Sequence, residues 1–416
     1  MFTGDCVRTG IRVVVAVVLF AAAAAAFFFA FRAFKGKYFF RSEPTLKKVE
    51  IPLEKRALSD RKPVTSEPCR EKLTQGQEEA YKTISENIHR SESEKFWLYS
   101  ADSDDFQIGL NAYLVDHPEV FWIDVESGYT YYEYDDSICV ELKYSQTGDA
   151  LEKERKALDE AVERVASGAP DNATDYDVEL YLNDYLTDEC DYDTDGGMKH
   201  TSYGALVDGR AVCDGYSHAF QLLSKRLGIN CTVVEGTSEF NTDAEDGHMW
   251  NCIELGGKWY HIDVTWNDST KAVCQVEHCF YINLTEEEIS RDHKISGDYA
   301  HRSQDSGGFF NVFVPECVSG DLNYCKLNFV TIKDPENDDD ILASMIAAAR
   351  GGESYCAFLI DEGEDFAQLG KKITETYAAS WIEGTNHFSG SKKISTEGKI
   401  VTYENKRVLA IQLEYE

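Results

Sequence analysis

The sequence predicts an α+β fold with a helix that begins at a cysteine and an antiparallel hairpin. Three observations predict it. Beyond Cys213, the apolar residues Tyr216, Ala219, Phe220, Leu222, Leu223 and Leu227 recur at threes and fours, the period of an amphipathic helix. Gly228 then stands where a helix C-terminus wants a glycine. Two alternating runs, 248–255 and 258–266, flank Gly256-Gly257, which is the pattern of a hairpin with a two-residue turn. The flanking sequence predicts an N-terminal α/β unit and a C-terminal α/β or α+β domain.

The chain has 416 residues, enough for two or three domains. Residues 1–12 form a short tail. Residues 13–31 carry no charge, and a helix of that length spans about 28 Å, close to the hydrocarbon thickness of a bilayer. They are expected to form a transmembrane helix. A cleaved signal peptide is the alternative, because Ala24-Ala25-Ala26 offers small residues, although apolar sequence continues to Phe31. Arg32, Lys35, Lys37 and Arg41 after the span would keep its C-terminal side in the cytoplasm, against Arg8 and Arg12 before it. The general pattern of N-terminal anchors with large soluble domains argues for export. The expectation is a single-pass membrane protein with its soluble domains outside the cytoplasm.

Residues 32–72 are polar and hold Pro44, Pro52, Pro63 and Pro68, which reads as a linker. Residues 73–170 form the N-terminal unit. In it, 75–90 has helical spacing, 114–122 reads as a turn entering a strand, 129–134 and 138–144 alternate as paired strands, and 151–165 is an amphipathic helix. Residues 171–302 hold the chemistry. In 303–416 the apolar runs 309–314, 327–332, 341–349, 356–360 and 408–413 read as strands and helices, with a polar boundary at 303–308.

Charge narrows the partners. Asp and Glu number 74 against 41 Lys and Arg, a formal charge of −33. Such a surface repels phosphate backbones, and no basic stripe relieves it, so nucleic acid is excluded as a partner. The 12 cysteines include no CxxC pair. Cys274 and Cys279 with His278 between them resemble a metal site too weakly to count as one.

The central segments bring together three chemical groups. Cys213 sits at a helix start, where unpaired N–H groups and the positive dipole end favour a thiolate and could receive an oxyanion. His248 begins a strand after an acidic loop at 241–246. If the turn is centred on Gly256-Gly257, Leu255 faces Lys258, Cys252 faces His261 and Trp250 faces Asp263. His248 then lies diagonally from Asp263, within reach of its carboxylate. A thiol, an imidazole to take its proton and a carboxylate to orient the imidazole make a nucleophilic triad in the order Cys213, His248, Asp263. His200 and Tyr203 precede the cysteine and could line its cleft, Tyr203 as an oxyanion donor. Trp250 is a further cleft candidate, and His261 could steady Asp263. His218 reads as structural, and Asp214 is expected to point away from the thiol, whose ionisation it would oppose.

The segments HTSYGALVDGRAVCDGYSHAF, GHMWN and GKWYHIDVTWND resemble the transglutaminase-like domain of the papain-like superfamily, in its microbial branch, over residues 175–285. Upstream, DVELYLNDYLTDECDYD resembles the helix leading into that core, with Asn183 where many relatives have His. The stretch DHPEVFW resembles a region found beside this domain in bacterial surface proteins. The resemblance implies a papain-like core with the helix that bears the nucleophile packed on an antiparallel sheet, the same triad, and a thioacyl intermediate formed on protein or peptide amides and passed to an amine or to water. It implies no cofactor and no metal, and the calcium loops of the animal enzymes are missing from the sequence. A non-catalytic surface binding or scaffold protein and a cell-envelope assembly factor are the alternatives.

Overall fold

The computed structural model of the chain describes residues 43–46, 49–89, 95–99, 101–123, 128–135, 137–238, 247–268, 275–301, 310–390, 393–396 and 398–415. The apolar run 13–31, the loop 241–246, Cys274 and the boundary 303–308 lie outside the described residues. Among the described residues, no helix is long and apolar enough to cross a membrane.

Two units are formed, and the larger spans 51–269 and 281–320. It begins inside the stretch read as a linker. Arg61 is buried there, ion-paired to Asp175 at 2.7 Å and donating to the carbonyls of Ala173 and Leu227. Cys69 is buried as well. The two terminal nitrogens of this buried guanidinium bind the ends of two helices to the incoming chain.

Helix α1 (Gln75–Asn87) follows a capping box between Thr74 and Gln77. Strand β1 (Phe96–Tyr99) and helix α2 (Ser103–Asp116) come next. Helix α2 occupies sequence from which only a turn and strand at 114–122 were expected. Asp102 caps it by accepting from the Asp105 N–H at 2.9 Å, and the acidic first turn suits the positive dipole end. The helix ends at His117, just before Pro118, and 118–122 then runs without strand structure, with Phe121 and Trp122 buried. Phe106, Leu110 and Tyr113 form its inner face, and Tyr113 meets Tyr81 of α1 edge to face at 5.1 Å.

Strands β2 (Tyr129–Tyr134) and β3 (Ser137–Leu142) pair as the alternation predicts, giving an antiparallel sheet in the order β1-β3-β2. Helix α3 (Gly148–Ser167) buries Leu151, Leu158, Val162 and Val165. Helix α4 (Asp175–Glu189) starts in a capping box of Thr174 and Asp177. The short strands β4 (Asp191–Tyr192) and β5 (Arg210–Ala211) then pair in parallel.

Helix α5 (Cys213–Arg226) buries Tyr216, Ala219, Phe220 and Leu223 of the residues that its period singled out, with Leu227 buried just past its end and Leu222 only half-buried. Gly228, with φ of 78°, turns the chain out of it. The helix lies on a four-stranded antiparallel sheet of order β8-β7-β6-β9, formed by β6 (Cys231–Ser238), β7 (His248–Leu255), β8 (Lys258–Ile262) and β9 (His293–Ile295). Two polar bonds lock helix to strand: Ser217 Oγ donates to the Met249 carbonyl at 2.9 Å, and Asn251 donates to the Ser217 carbonyl at 3.0 Å. Gly215 has to be glycine, since a Cβ there would lie 2.4 Å from the Lys199 carbonyl oxygen. Two four-residue helices, α6 (Val264–Asn267) and α7 (Glu286–Ile289), follow β8. The apolar run at 309–314 adds no strand in its described part. Instead Asn311 exchanges side-chain bonds with the Glu235 backbone at 2.8 Å in both directions.

The second unit contains 321–416 together with 43–46, 49–50 and 275–280 of the described residues. Its elements are α8 (Tyr324–Asn328), β10 (Val330–Ile332), α9 (Asp339–Gly351), β11 (Tyr355–Ile360), α10 (Phe366–Lys372), α11 (Ala378–Phe388), β12 (Ile400–Tyr403) and β13 (Val408–Gln412). The sheet order is β10-β11-β13-β12, with only β10 and β11 parallel. Ile341, Met345, Phe358, Trp381, Leu409 and Ile411 centre its core. This is a mixed α/β layer, and the predicted apolar runs at 341–349, 356–360 and 408–413 fall in α9, β11 and β13.

The hairpin carries the site, so its turn is the place to test the fold. Gly256 and Gly257 have φ of 59° and 79°, as a two-residue primed turn requires. A Cβ on Gly257 would meet nothing within 4 Å, whereas one on Gly256 would strike Leu53. Gly257→Ala therefore isolates the backbone cost and should lose about 1 kcal/mol of unfolding free energy in urea. Gly257→Asn, which tolerates this conformation better, should lose less.

Candidate active site

The register that the turn sets decides which side chains meet. Leu255 pairs with Lys258 and Cys252 with His261, as expected for a turn on two glycines. Asp263 follows as the cap of α6, just past the end of β8. His248 Nε2 lies 2.6 Å from Asp263 Oδ2. On the neighbouring strand, Gly236 pairs with His248 and Ser238 pairs with His293. Three strand ends thus deliver His248, His293 and Asp263 to one place.

Asp263 is completely buried and uses both its oxygens. Oδ1 accepts the Trp266 N–H at 3.0 Å, while Oδ2 accepts from His248 at 2.6 Å and from His293 Nε2 at 3.0 Å. Its backbone N–H donates to the Tyr281 carbonyl at 3.0 Å. Burial alone would raise the carboxyl, but the two histidines hold it well below the usual carboxylate range. His248 is 6 % exposed. Burial opposes its charge, yet Asp263 outweighs that and Cys213 adds to it, so its proton affinity rises to about 9.

Cys213 is the first residue of α5 and is half-buried. Val212 precedes it and offers no side-chain cap, so the first N–H groups of the helix are not closed off by their own cap residue. With Nε2 of His248 committed to Asp263, Nδ1 is the nitrogen left to exchange a proton with the thiol. A hydrogen bond and the charge of Cys213 both act on the His248 ring. The three groups predicted from spacing are therefore brought together.

The other candidates separate. Trp250, expected in the cleft, is fully buried beneath His248, with the rings 5.8 Å apart and near parallel. Its N–H donates to His261 Nδ1 at 3.1 Å, because the face of β7 that it shares with His248 and Cys252 runs into the core within two residues. His261 is thereby engaged with Trp250 rather than Asp263. His200 Nδ1 sits 2.7 Å from an Asp214 oxygen, and the Gly215 N–H takes the other at 2.9 Å. The charge next to the thiol is thus tied up by its own neighbours. Tyr203 packs tilted against Phe121, ring centres 4.9 Å apart, where burial and then the Asp208 and Glu154 carboxylates raise its phenol. None of these contacts sets Tyr203 against Cys213. Asn183 has a structural part: it accepts from Asn267 at 2.8 Å, and Asn267 accepts the Tyr281 N–H at 3.0 Å.

Spacing did not reveal His293. Its ring is buried, with Nδ1 2.8 Å from Asp292 Oδ1 and Nε2 on Asp263. The adjacent Asp292-His293 in the sequence was the available signal, but nothing local says that β9 returns to β6.

Two groups of side chains have metal-ligand types within 4.8 Å of one another. In His248, Asp263 and His293 the N–O separations of 2.6 and 3.0 Å are shorter than the roughly 3.4 Å edge of a tetrahedron with about 2.1 Å bonds. Protons fit between these atoms and a shared ion does not. Cys252, His261 and Cys317 have an S–S separation of 3.6 Å and an S–N separation of 3.2 Å, nearer such an edge. Trp250 already donates to that nitrogen, however, and a closed structural site needs four ligands.

Residues 160–264 match the model of the transglutaminase-like superfamily. A 61-residue stretch is 34 % identical to kyphoscoliosis peptidase of Mus musculus, covering 13 % of this chain and 9 % of that protein, and equally to that of Homo sapiens. The shared stretch thus spans less than a tenth of these relatives. Among solved structures, a TGase overlaps 46 % of this chain and 55 % of its own at 14 % identity and a TM-score of 0.25. A candidate cysteine protease from Cytophaga hutchinsonii overlaps 33 % and 61 % at 15 % identity and a TM-score of 0.22.

The raised proton affinity of His248 has a consequence for stability. Its contribution is fully present below its unfolded value near 6.5 and disappears as pH rises through about 9. Unfolding free energy followed from pH 6 to 10 should fall across that window. The part missing from His248→Gln should be on the order of 2–3 kcal/mol.

Proposed function

Residues 160–264 form a transglutaminase-like domain, and from that premise we propose that the chain is a cysteine acyl-transfer enzyme acting on protein or peptide amides. The observation that carries the reading is the 2.6 Å bond between buried Asp263 and His248, beside a cysteine that starts a helix. A fully buried carboxylate is costly to keep unless it is paired. Here its pairing fixes which nitrogen of His248 faces the thiol, as base chemistry at Cys213 requires.

The reaction proceeds in two halves. His248 Nδ1 takes the Cys213 proton, and the sulfur attacks the amide carbonyl carbon. The oxyanion is received by N–H groups at the start of α5. The C–N bond breaks, and the imidazolium returns its proton to the departing amine. In the second half a water or an amine loses a proton to His248 and attacks the thioester carbon, and the thiolate leaves. With water the outcome is hydrolysis; with an amine it is a new amide. Asp263 keeps its negative charge throughout and steadies the imidazolium at each stage.

The charge-free run 13–31 supports a chain tethered to a membrane by one span; the soluble units are placed outside the cytoplasm on the general pattern of N-terminal anchors, against the basic residues that follow the run. That part of the reading rests on sequence alone.

Labelling of the full chain with iodoacetamide across pH 4 to 9 tests the chemistry. Cys213 should label rapidly already near pH 6, and Cys213→Ala should remove the fast phase. His248→Ala should slow it about a hundredfold at that pH, the scale of a lost proton acceptor. Labelling no faster than that of an ordinary thiol would leave the domain as a non-catalytic binding or scaffold module.

A further inference from the structure

His293 lies outside the triad, yet its surroundings are specific. Its Nδ1 is 2.8 Å from Asp292 Oδ1 and its Nε2 is 3.0 Å from Asp263 Oδ2. Ionised carboxylates accept hydrogen bonds and donate none. A neutral imidazole carries one proton and would turn a bare lone pair toward one of these carboxylates. Both contacts are met only when both nitrogens are protonated, that is, when the ring is a cation.

The groups around the ring agree. Trp266 and Trp250 lie 4.4 and 5.1 Å away between ring centres, and Tyr281 lies at 5.5 Å, so three aromatic rings surround the charge. Tyr281 also donates its hydroxyl to Asp292 Oδ2 at 2.9 Å, which holds Asp292 in place. The titratable groups facing His293 are Asp263 at the cap of α6, Asp292 beside it, Tyr281 and His248 of β7, whose ring centre is 5.2 Å away. The charges therefore alternate in one row: Asp292 negative, His293 positive, Asp263 negative, His248 positive when protonated, Cys213 negative when ionised.

We propose that His293 is a positioning residue of this site: as a buried imidazolium between Asp292 and Asp263, it aims the Asp263 carboxylate at His248 and sets the pH range in which Cys213 and His248 form an ion pair. This rests on the acyl-transfer reading above. Two effects follow. Oδ2 of Asp263 is shared by two N–H donors, so the carboxylate cannot turn away when His248 moves during turnover. The fixed positive charge also disfavours protons on both His248 and Cys213, drawing the working range of the pair toward lower pH. Burial against the positive charge is overcome by the two carboxylates, which raise the ring above the ordinary histidine range.

The test is the pH–rate profile of Cys213 alkylation in the full chain, wild type against His293→Gln. Gln can still donate to Asp263 but brings no charge. Both limbs of the profile should move up by about one pH unit, and the maximum rate should fall several-fold. An unmoved profile with only a lower maximum would reduce His293 to packing and overturn the proposal. Independently of whether His293→Gln folds, the wild-type protein labelled with ¹⁵N-histidine gives a second reading by NMR. Both nitrogens of His293 should be protonated from pH 6 to 8, and a neutral His293 at pH 7 would overturn the proposal whatever the variant does. The two readings fail separately: an ordinary thiol profile in the wild type defeats the acyl-transfer reading, whereas a fast Cys213 beside a neutral His293 defeats only this one.

Discussion

One fully buried carboxylate organises the centre of this molecule. Asp263 has no solvent, so each of its lone pairs needs a donor, and an unpaired charge there would cost several kcal/mol. The donors come from three places in the chain: the Trp266 backbone, His248 and His293. Meeting that demand determines how β8 ends, where β7 begins and why β9 must return to the sheet edge. The helix that bears Cys213 is fixed to the same strand through Ser217 and Asn251. The geometry of the triad follows from satisfying one charge.

Small local devices make this possible. Two glycines at positive φ set the hairpin register, and a one-residue slip would turn His248 to the opposite face. Gly215 lets α5 approach the Lys199 backbone, closer than any side chain would permit. Gly236 leaves space for the Trp250 ring, which a Cβ there would approach to 2.7 Å. Trp250 in turn supports His248 from beneath. His248 and Trp250 share one face of β7, the first facing the thiol and the second buried under it.

How much of this could be read from the sequence depended on range. The hairpin was legible to the residue, because a two-glycine turn allows simple counting, and counting put His248 beside Asp263. The start of α5 was legible from its period. Helix α2 was not, since the stretch DHPEVFW drew attention to a strand while Asp102 and Asp105 quietly capped a helix. Trp250 is a cleft candidate by sequence, but the face of β7 that it shares with His248 turns from cleft to core within two residues. His293 was beyond reach: it meets Asp263 only through the pairing of β9 with β6, more than fifty residues apart in the chain, and no spacing rule connects them. The likeness of residues 160–264 to the transglutaminase-like superfamily covers the triad and stops short of His293.

If Asp263 is the group on which the centre depends, its charge matters more to folding than the nucleophile does. The direct measurement is the urea unfolding free energy at pH 7 of Asp263→Asn beside Cys213→Ala. Asp263→Asn keeps the shape, removes the charge and leaves two buried histidines without it. The account predicts a loss of about 3–5 kcal/mol there, and little change for half-buried Cys213→Ala. An Asp263→Asn protein as stable as the wild type would contradict it.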